Sequence, residues 1–451
     1  MSLRLIDSLA STEALAEVFS DASVLQAMLD FEAALARAQA SVGLIPSTAA
    51  AAITAAGQAN GFDTAKLASQ SLRAGTPAMP LVKMLTDRVR ATDPSSADYV
   101  HWGATSQDVT DTALALLLKR SFPMLEADHA RLEHALERLS NQHAGTLMLG
   151  RTLLQPAPPI PFGLKAAGWL AAAHRGWGRV AEAFEQALIL QFGGASGTLA
   201  ALGDQGPLVS SALARELGLH DPGAPWHTQR DRLAALVSVC GIYVASLGKM
   251  ARDVSLMMQE EVGEAAEAEG AGRGGSSTMP HKRNPIACVL ALAAANRIPG
   301  LVASYLAGMV QEHERATGGW QAEWATILGV IQSTGVALES MAEAAEGLTV
   351  HPERMRANIE ETRGAIFAER VVILLAASLG RAGAHRLLEE VTRWSAASGR
   401  KLTALLAEIP EVTQVIPAAE LEQLDSPESY LGAAEHFRKR LLSKDSSGGT
   451  D

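Results

Sequence analysis

Five apolar stretches, each near or beyond thirty residues, dominate this chain and set its fold class. They run roughly over 111–144, 161–190, 230–263, 285–312 and 319–347. A globular helix averages only about 11–12 residues and a strand about 5–6. Apolar patterning sustained over such lengths predicts helices, and wide apolar faces on long helices predict a bundle. Aromatics make up only 4% while alanine and leucine abound, which favours helix over strand. The expectation is an all-α chain with an N-terminal helical domain over residues 1–110 and a central long-helix bundle over 111–350. A C-terminal helical domain over 351–451 follows, its end (442–451) a disordered tail. No internal repeat and no strong strand signal stand out.

Several function classes fall away on charge and cysteine usage. The formal net charge is −11, so a nucleic-acid partner would need a concentrated basic patch that the sequence does not show. Cys240 and Cys288 both lie in apolar helical runs and read as buried free thiols, not as a disulfide or zinc framework. The first residues lack an apolar signal core, and a cytoplasmic enzyme is expected. The most membrane-like run, 286–310, is broken by Asn296, Arg297 and Pro299, so it reads as a buried core helix. Val237, Val239, Ile242, Val244 and Leu247 crowd one helical stretch on several faces. Covering such helices calls for several chains, so a homo-oligomer is expected.

Polar, glycine-rich segments interrupt the bundle. His101–Asp108 precedes the first long helix, and Thr105, Ser106 and Asp108 are good cap residues. Hydroxyls and free N–H groups at a helix start also bind carboxylates. In Gly150–Pro159 the prolines are expected to end one element and start another. Gln191–Thr198 lacks the spacing of a dinucleotide loop and reads as a flexible turn. Trp226–Arg232, with Gln229, caps another long helix. Gln311–Gly318, with Arg315, reads as a solvated helix end, and Glu312-His313 does not make a metal-binding helical motif. His129 and His134 lie among charges and read as surface residues. No metal or cofactor is expected.

The segment hardest to explain by packing is Gly275–Pro285, which follows Gly270, Gly272 and Gly274. So many glycines predict a mobile lid, and Asn284-Pro285 reads as a cap and first-turn proline. Together with the segments around Thr105, Thr152 and Gln229, this loop resembles the fumarase/aspartase superfamily. Gly275–Pro285 matches the signature Gly-Ser-Ser-x-Met-Pro-x-Lys-x-Asn-Pro at every position, and the likeness spans about residues 5–440. The resemblance implies a three-domain helical subunit, a tetramer around a shared helix bundle, and active sites shared between subunits. It also implies β-elimination or its reverse on succinate-like substrates. It makes Ser276 the catalytic base, and Lys282 and Asn284 ligands of substrate carboxylate. Thr105, Ser106, Gln229 and Arg315 join them as candidate substrate-binding residues. Proton removal beside a carboxylate builds a doubly charged intermediate, so cationic and N–H donors must be aimed at it in advance.

One departure narrows the chemistry. Many relatives carry His in the motif Gly-Arg-Thr-His, and here that position is Leu153, which cannot donate a proton. A carboxylate leaving group needs little protonation because its conjugate acid has a pKa near about 4, whereas an amine needs much more help. The expected reaction is therefore lactonisation, the addition of a carboxylate to a double bond or its loss, and the resemblance implies a small tricarboxylate as its substrate. The alternative is an adenylosuccinate lyase-like elimination. A non-catalytic relative would be expected to carry a damaged signature, and this one is intact.

Overall fold

The computed structural model describes residues 5–268, 274–275, 279 and 282–443. Short helices open the chain, and the first long one, α1 (Asp21–Ser41), is capped by the Ser20 hydroxyl, which accepts from the Ser23 N–H at 3.3 Å. Then come α2 (Ala78–Thr92) and α3 (Ser106–Gln142), a hairpin of β1 (Leu147–Thr152) and β2 (Gln155–Pro161), and α4 (Phe162–Ala187). The remaining long elements are α5 (Asp231–Met257), α6 (Ile286–Ala307) and α7 (Gly319–Glu346), followed by α8 (Pro352–Glu361) and α9 (Ala368–Ser398). Helices α3 to α7 fall where the five long apolar stretches predict them. Helix α9 is broken at Gly380, whose φ of 66° no helix interior accommodates.

The chain divides into two compact units. The first comprises residues 1–130, 176–248 and 290–340, and the second 131–175, 249–289 and 341–451. In the first unit, Phe31, Leu35, Leu81, Leu85, Val109 and Leu213 belong to one apolar core built on α1, α2 and the start of α3. In the second, Val371, Leu375, Leu388, Leu402 and Leu406 pack around the two halves of α9. Both cysteines are buried free thiols as expected, and burial pushes Cys240 up to about 12.

The hairpin is a departure from the sequence reading. Strand β1 pairs antiparallel with β2, from Leu147 opposite Pro161 to Thr152 opposite Gln155. Prolines lack the donor that a central strand needs, but a two-stranded ribbon has outward-facing edges that tolerate them. A register shift falls between Leu149 and Gly150. There a Cβ on Gly150 would meet the Pro158 carbonyl oxygen at 2.5 Å, so only glycine fits. The two turn residues are Leu153 (φ 50°) and Leu154 (φ 66°), a left-handed pair of the kind that suits asparagine and glycine. Leucine is strained there by roughly 1–2 kcal/mol per residue. Leu153 is 97% exposed at the tip, so it lines no cavity of its own chain.

Two further expectations are corrected. His129 is buried, its Nδ1 lying 2.9 Å from the Tyr243 hydroxyl and its ring stacked on Trp177, because it sits on the inward stripe of α3. His134 is exposed as expected. Helix α6 was expected to be a buried core helix, yet only 28% of its most apolar window is covered within the chain. Val289 and Leu306 on it are 49% and 45% exposed. Together with α5, α6 is long and apolar enough to cross a membrane by length and composition alone.

Candidate active site

In the first unit the site is built around the start of α3. Asp108 lies in its first turn, fully buried, and one carboxylate serves four donors. Oδ2 accepts from the Thr105 N–H at 3.0 Å and the Gly194 N–H at 2.9 Å. Oδ1 accepts from the Gly193 N–H at 3.0 Å and lies 2.8 Å from His227 Nε2. The Thr105 bond is the reciprocal half of a helix-capping box. Thus the Gln191–Thr198 segment, expected to be a flexible turn, is pinned and largely buried at its start. Its glycines are there because a Cβ on Gly193 would meet Pro225 at 2.6 Å and His227 at 2.7 Å, and Gly194 has φ 67°.

With Thr105 held by its backbone, its side chain is turned elsewhere. Arg315 Nη1 donates to Thr105 Oγ1 at 2.6 Å, and Nη2 donates to Ser106 Oγ at 3.1 Å. A hydroxyl that accepts from a guanidinium keeps its own proton available. Two O–H groups, the orphan amides of the helix start and a half-buried cation therefore converge in an arrangement able to seat an anion. The Gln311–Gly318 segment, read as a solvated helix end, instead brings Arg315 back onto α3. Gln229 is exposed, with its backbone N–H donating to the Trp226 carbonyl at 3.1 Å.

Sequence reasoning missed the buried ion cluster of Arg230, Asp111 and Glu323 behind this seat. Arg230 is fully buried and donates to Asp111 at 2.8 and 3.1 Å and to Glu323 at 2.6–3.2 Å. Burial opposes its charge, but the two carboxylates outweigh this and drive its pKa upward. Burial raises the Glu323 carboxyl, and Arg230 offsets that only in part. Trp226 packs under the guanidinium at 4.5 Å. His101, with φ 59°, places Nδ1 2.7 Å from the buried Glu32 carboxylate. Burial pulls this imidazole down, yet Glu32 prevails and the net shift is upward.

In the second unit Lys282 and Asn284 lie on the signature segment. Lys282 is exposed and Asn284 half-buried. The Asn284 N–H donates to the Gly274 carbonyl at 2.9 Å and the Lys282 N–H to the Met279 carbonyl at 3.0 Å, while Gly275 and Arg283 form a bridge. Glu267, buried, accepts from the Ala287 and Cys288 N–H groups at 3.0 and 2.9 Å and so caps α6 just after the signature. Arg151 donates both Nη groups to Glu264 at 2.8 and 2.7 Å, and Asn358 donates to the same carboxylate at 2.8 Å. Ser276 and most of the glycine-rich segment expected to form a lid lie outside the described residues, as does most of the expected tail. Among the described residues no group of three or more His, Cys, Asp or Glu side chains could hold a metal ion.

Comparison with known proteins places these features in context. A family model described as Lyase matches residues 9–300, and one described as Adenylosuccinate lyase C-terminus matches 364–441. A 3-carboxy-cis,cis-muconate cycloisomerase of Pseudomonas aeruginosa is 49% identical, covering 95% of this chain and 93% of its own. A nitrosuccinate lyase of Streptomyces davaonensis is 43% identical, covering 94% and 91%. The crystal structure of 3-carboxy-cis,cis-muconate lactonizing enzyme from Pseudomonas putida superposes with a TM-score of 0.91 at 46% identity, covering 97% of this chain and 98% of that one. With its long helices, intact signature and full-length matches, the chain belongs to the fumarase/aspartase superfamily of lyases, alongside the 3-carboxy-cis,cis-muconate cycloisomerases.

Proposed function

We propose that this chain is a 3-carboxy-cis,cis-muconate cycloisomerase, interconverting that tricarboxylate and 4-carboxymuconolactone in protocatechuate catabolism. The observation that carries the reading is Leu153 in place of a proton-donating histidine, in a chain close in sequence to several cycloisomerases of that name. In the lactone-forming direction a substrate carboxylate oxygen bonds to one alkene carbon, and the neighbouring carbon gains a proton. Ser276 delivers that proton, and in reverse removes it as the base. The dianionic intermediate between these steps is held by Lys282 and Asn284, with Thr105, Ser106, Arg315 and Gln229 as further carboxylate ligands.

The leaving group in the reverse direction is already a stable carboxylate, so no imidazole is required opposite the base. No metal or cofactor takes part in these steps. The enzyme works as a cytoplasmic homotetramer with shared active sites; the uncovered apolar surface of α6 and the exposed Ile242 on α5 support association of several copies. The three-way division at about residues 110 and 350 belongs to the same proposal.

A second reading, an adenylosuccinate lyase-like elimination, draws on the C-terminal family match. An amine leaving group needs the proton donor that Leu153 is not. The test is direct. Purified enzyme is incubated separately with 3-carboxy-cis,cis-muconate, adenylosuccinate and nitrosuccinate while ultraviolet absorbance is followed. Lactonisation at a kcat/KM of about 10⁴ M⁻¹s⁻¹ or more is expected. Turnover of either other substrate with none of the muconate overturns the proposal.

A further inference from the structure

Arg315 reaches the start of α3 from a loop, residues 308–318, that joins α6 to α7. A loop is a poor platform for a side chain that must be placed to within a fraction of an ångström. This one is fastened at both ends to a single buried charge cluster. At its entry Gln311 Nε2 donates to Glu323 Oε1 at 2.6 Å and to the Gly308 carbonyl at 3.2 Å. At its exit Trp320 Nε1 donates to Asp111 Oδ1 at 3.0 Å. Those two carboxylates are the ones that clasp Arg230 from either side. The circuit closes because the Arg315 guanidinium lies 5.9 Å from the Trp320 ring centre. Inside the loop, Glu312 accepts from the Thr317 N–H at 3.0 Å.

Burying three charges is a poor way to stabilise a fold, since well-packed apolar residues of similar volume often do as well or better. The arrangement does supply registry. Asp111 sits one turn beyond Ser106 on α3, so the helix that carries the two hydroxyls and the loop that carries the cation share one anchor.

We infer that Arg230, Asp111 and Glu323 are positioning residues for the anion seat, acting through Gln311 and Trp320 to hold Arg315 against Thr105 and Ser106. This rests on the proposed role of Arg315 as a carboxylate ligand. Arg230 itself is a poor probe, because its removal leaves two buried carboxylates unpaired and threatens folding. The spokes are better. Trp320→Phe removes the indole N–H but keeps a ring beneath Arg315. Gln311→Leu removes the amide but leaves Glu323 paired with Arg230.

The experiment has two arms, both on the full-length enzyme. In the first, amide hydrogen exchange of 308–318 is compared between wild type and each variant, and faster exchange in both is expected. In the second, KM for 3-carboxy-cis,cis-muconate is measured in a double-mutant cycle with Arg315→Met. Each spoke variant should raise KM about 3- to 30-fold alone, and by less than about twofold in the Arg315→Met background. A merely structural role would give the same factor in both backgrounds. Unchanged exchange in both variants overturns the inference, even if the enzyme turns out to use another substrate. Faster exchange with equal KM effects in both backgrounds overturns instead the assignment of Arg315 to the substrate.

Discussion

Replacing Asp108 by asparagine tests how the site is held together, because the carboxylate has four donors and no spare oxygen. An amide keeps one acceptor and exchanges the other for a donor. With its oxygen toward Thr105 and Gly194, its NH2 faces His227 Nε2 and the Gly193 N–H. His227 can accept by changing tautomer, but the Gly193 N–H cannot. In the reverse orientation the NH2 would face two backbone donors, neither able to switch. The first orientation is therefore expected, with Gly193 alone orphaned. An unsatisfied buried N–H costs about 1–3 kcal/mol. The remaining bonds lose charge assistance, about half their strength, so the total lies near 2–5 kcal/mol. The local term is the cleaner quantity. At about 1.4 kcal/mol per factor of ten, the Gly193 amide should exchange about 5- to 150-fold faster while Gly194 stays protected. Amide exchange resolved across 191–198 in the full-length enzyme gives the reading, with KM measured alongside. Because Thr105 is held through the same carboxylate, KM for the muconate should rise as well. Unaltered exchange at Gly193, or equal acceleration at Gly193 and Gly194, would refute the reasoning.

Three further outcomes are expected. Ser276→Ala should fold and assemble normally while turnover falls about 10²–10⁴-fold, the usual contribution of a positioned acid or base; near-wild-type turnover in steady-state assays removes Ser276 from the mechanism. The raised His101 pKa means that its ion pair with Glu32 contributes stability in full below the unfolded pKa of about 6.5 and loses it as pH rises through the folded value. The melting-temperature gap between wild type and His101→Gln should therefore shrink as pH rises above about 6.5, and a gap that widens with pH contradicts the pairing. Changing Leu153-Leu154 to Asn-Gly relieves two left-handed leucines, each strained by roughly 1–2 kcal/mol. The melting temperature should rise, and a fall would show that contacts made by the leucines outweigh the strain.

What was legible in the sequence was whatever depends on neighbours along the chain. The long helices appeared within a few residues of their bounds because a 3.6-residue pattern is local and their apolar faces are wide. Thr105, Ser106 and Asp108 read as cap residues because a helix start selects side chains that bond their own backbone. The hairpin was invisible for the same kind of reason. Four prolines in Gln155–Pro161 and two leucines at its turn contradict every local preference for that structure, and only pairing between β1 and β2 imposes it.

The groups behind the seat were hidden differently. Asp111, Arg230 and Glu323 are separated by 119 and 93 residues, and each lies within a turn or two of the start of a long helix, where charges are ordinarily solvated. Nothing at a single position distinguishes a solvated helix end from half of a buried ion pair. Tryptophan offers a usable signal. The chain has only seven, and Trp226, Trp320 and Trp324 stand within four residues of Arg230 or Glu323. A tryptophan beside a charge at the mouth of an apolar helix has two uses for that charge, as a cation over its ring and as an acceptor for its N–H. Both are made here, by Arg230 over Trp226 and by Asp111 accepting from Trp320. A solvated helix end has no need of so large an apolar ring, so tryptophan beside charge at several helix starts argues that those starts meet in the interior, before any contact between them is known.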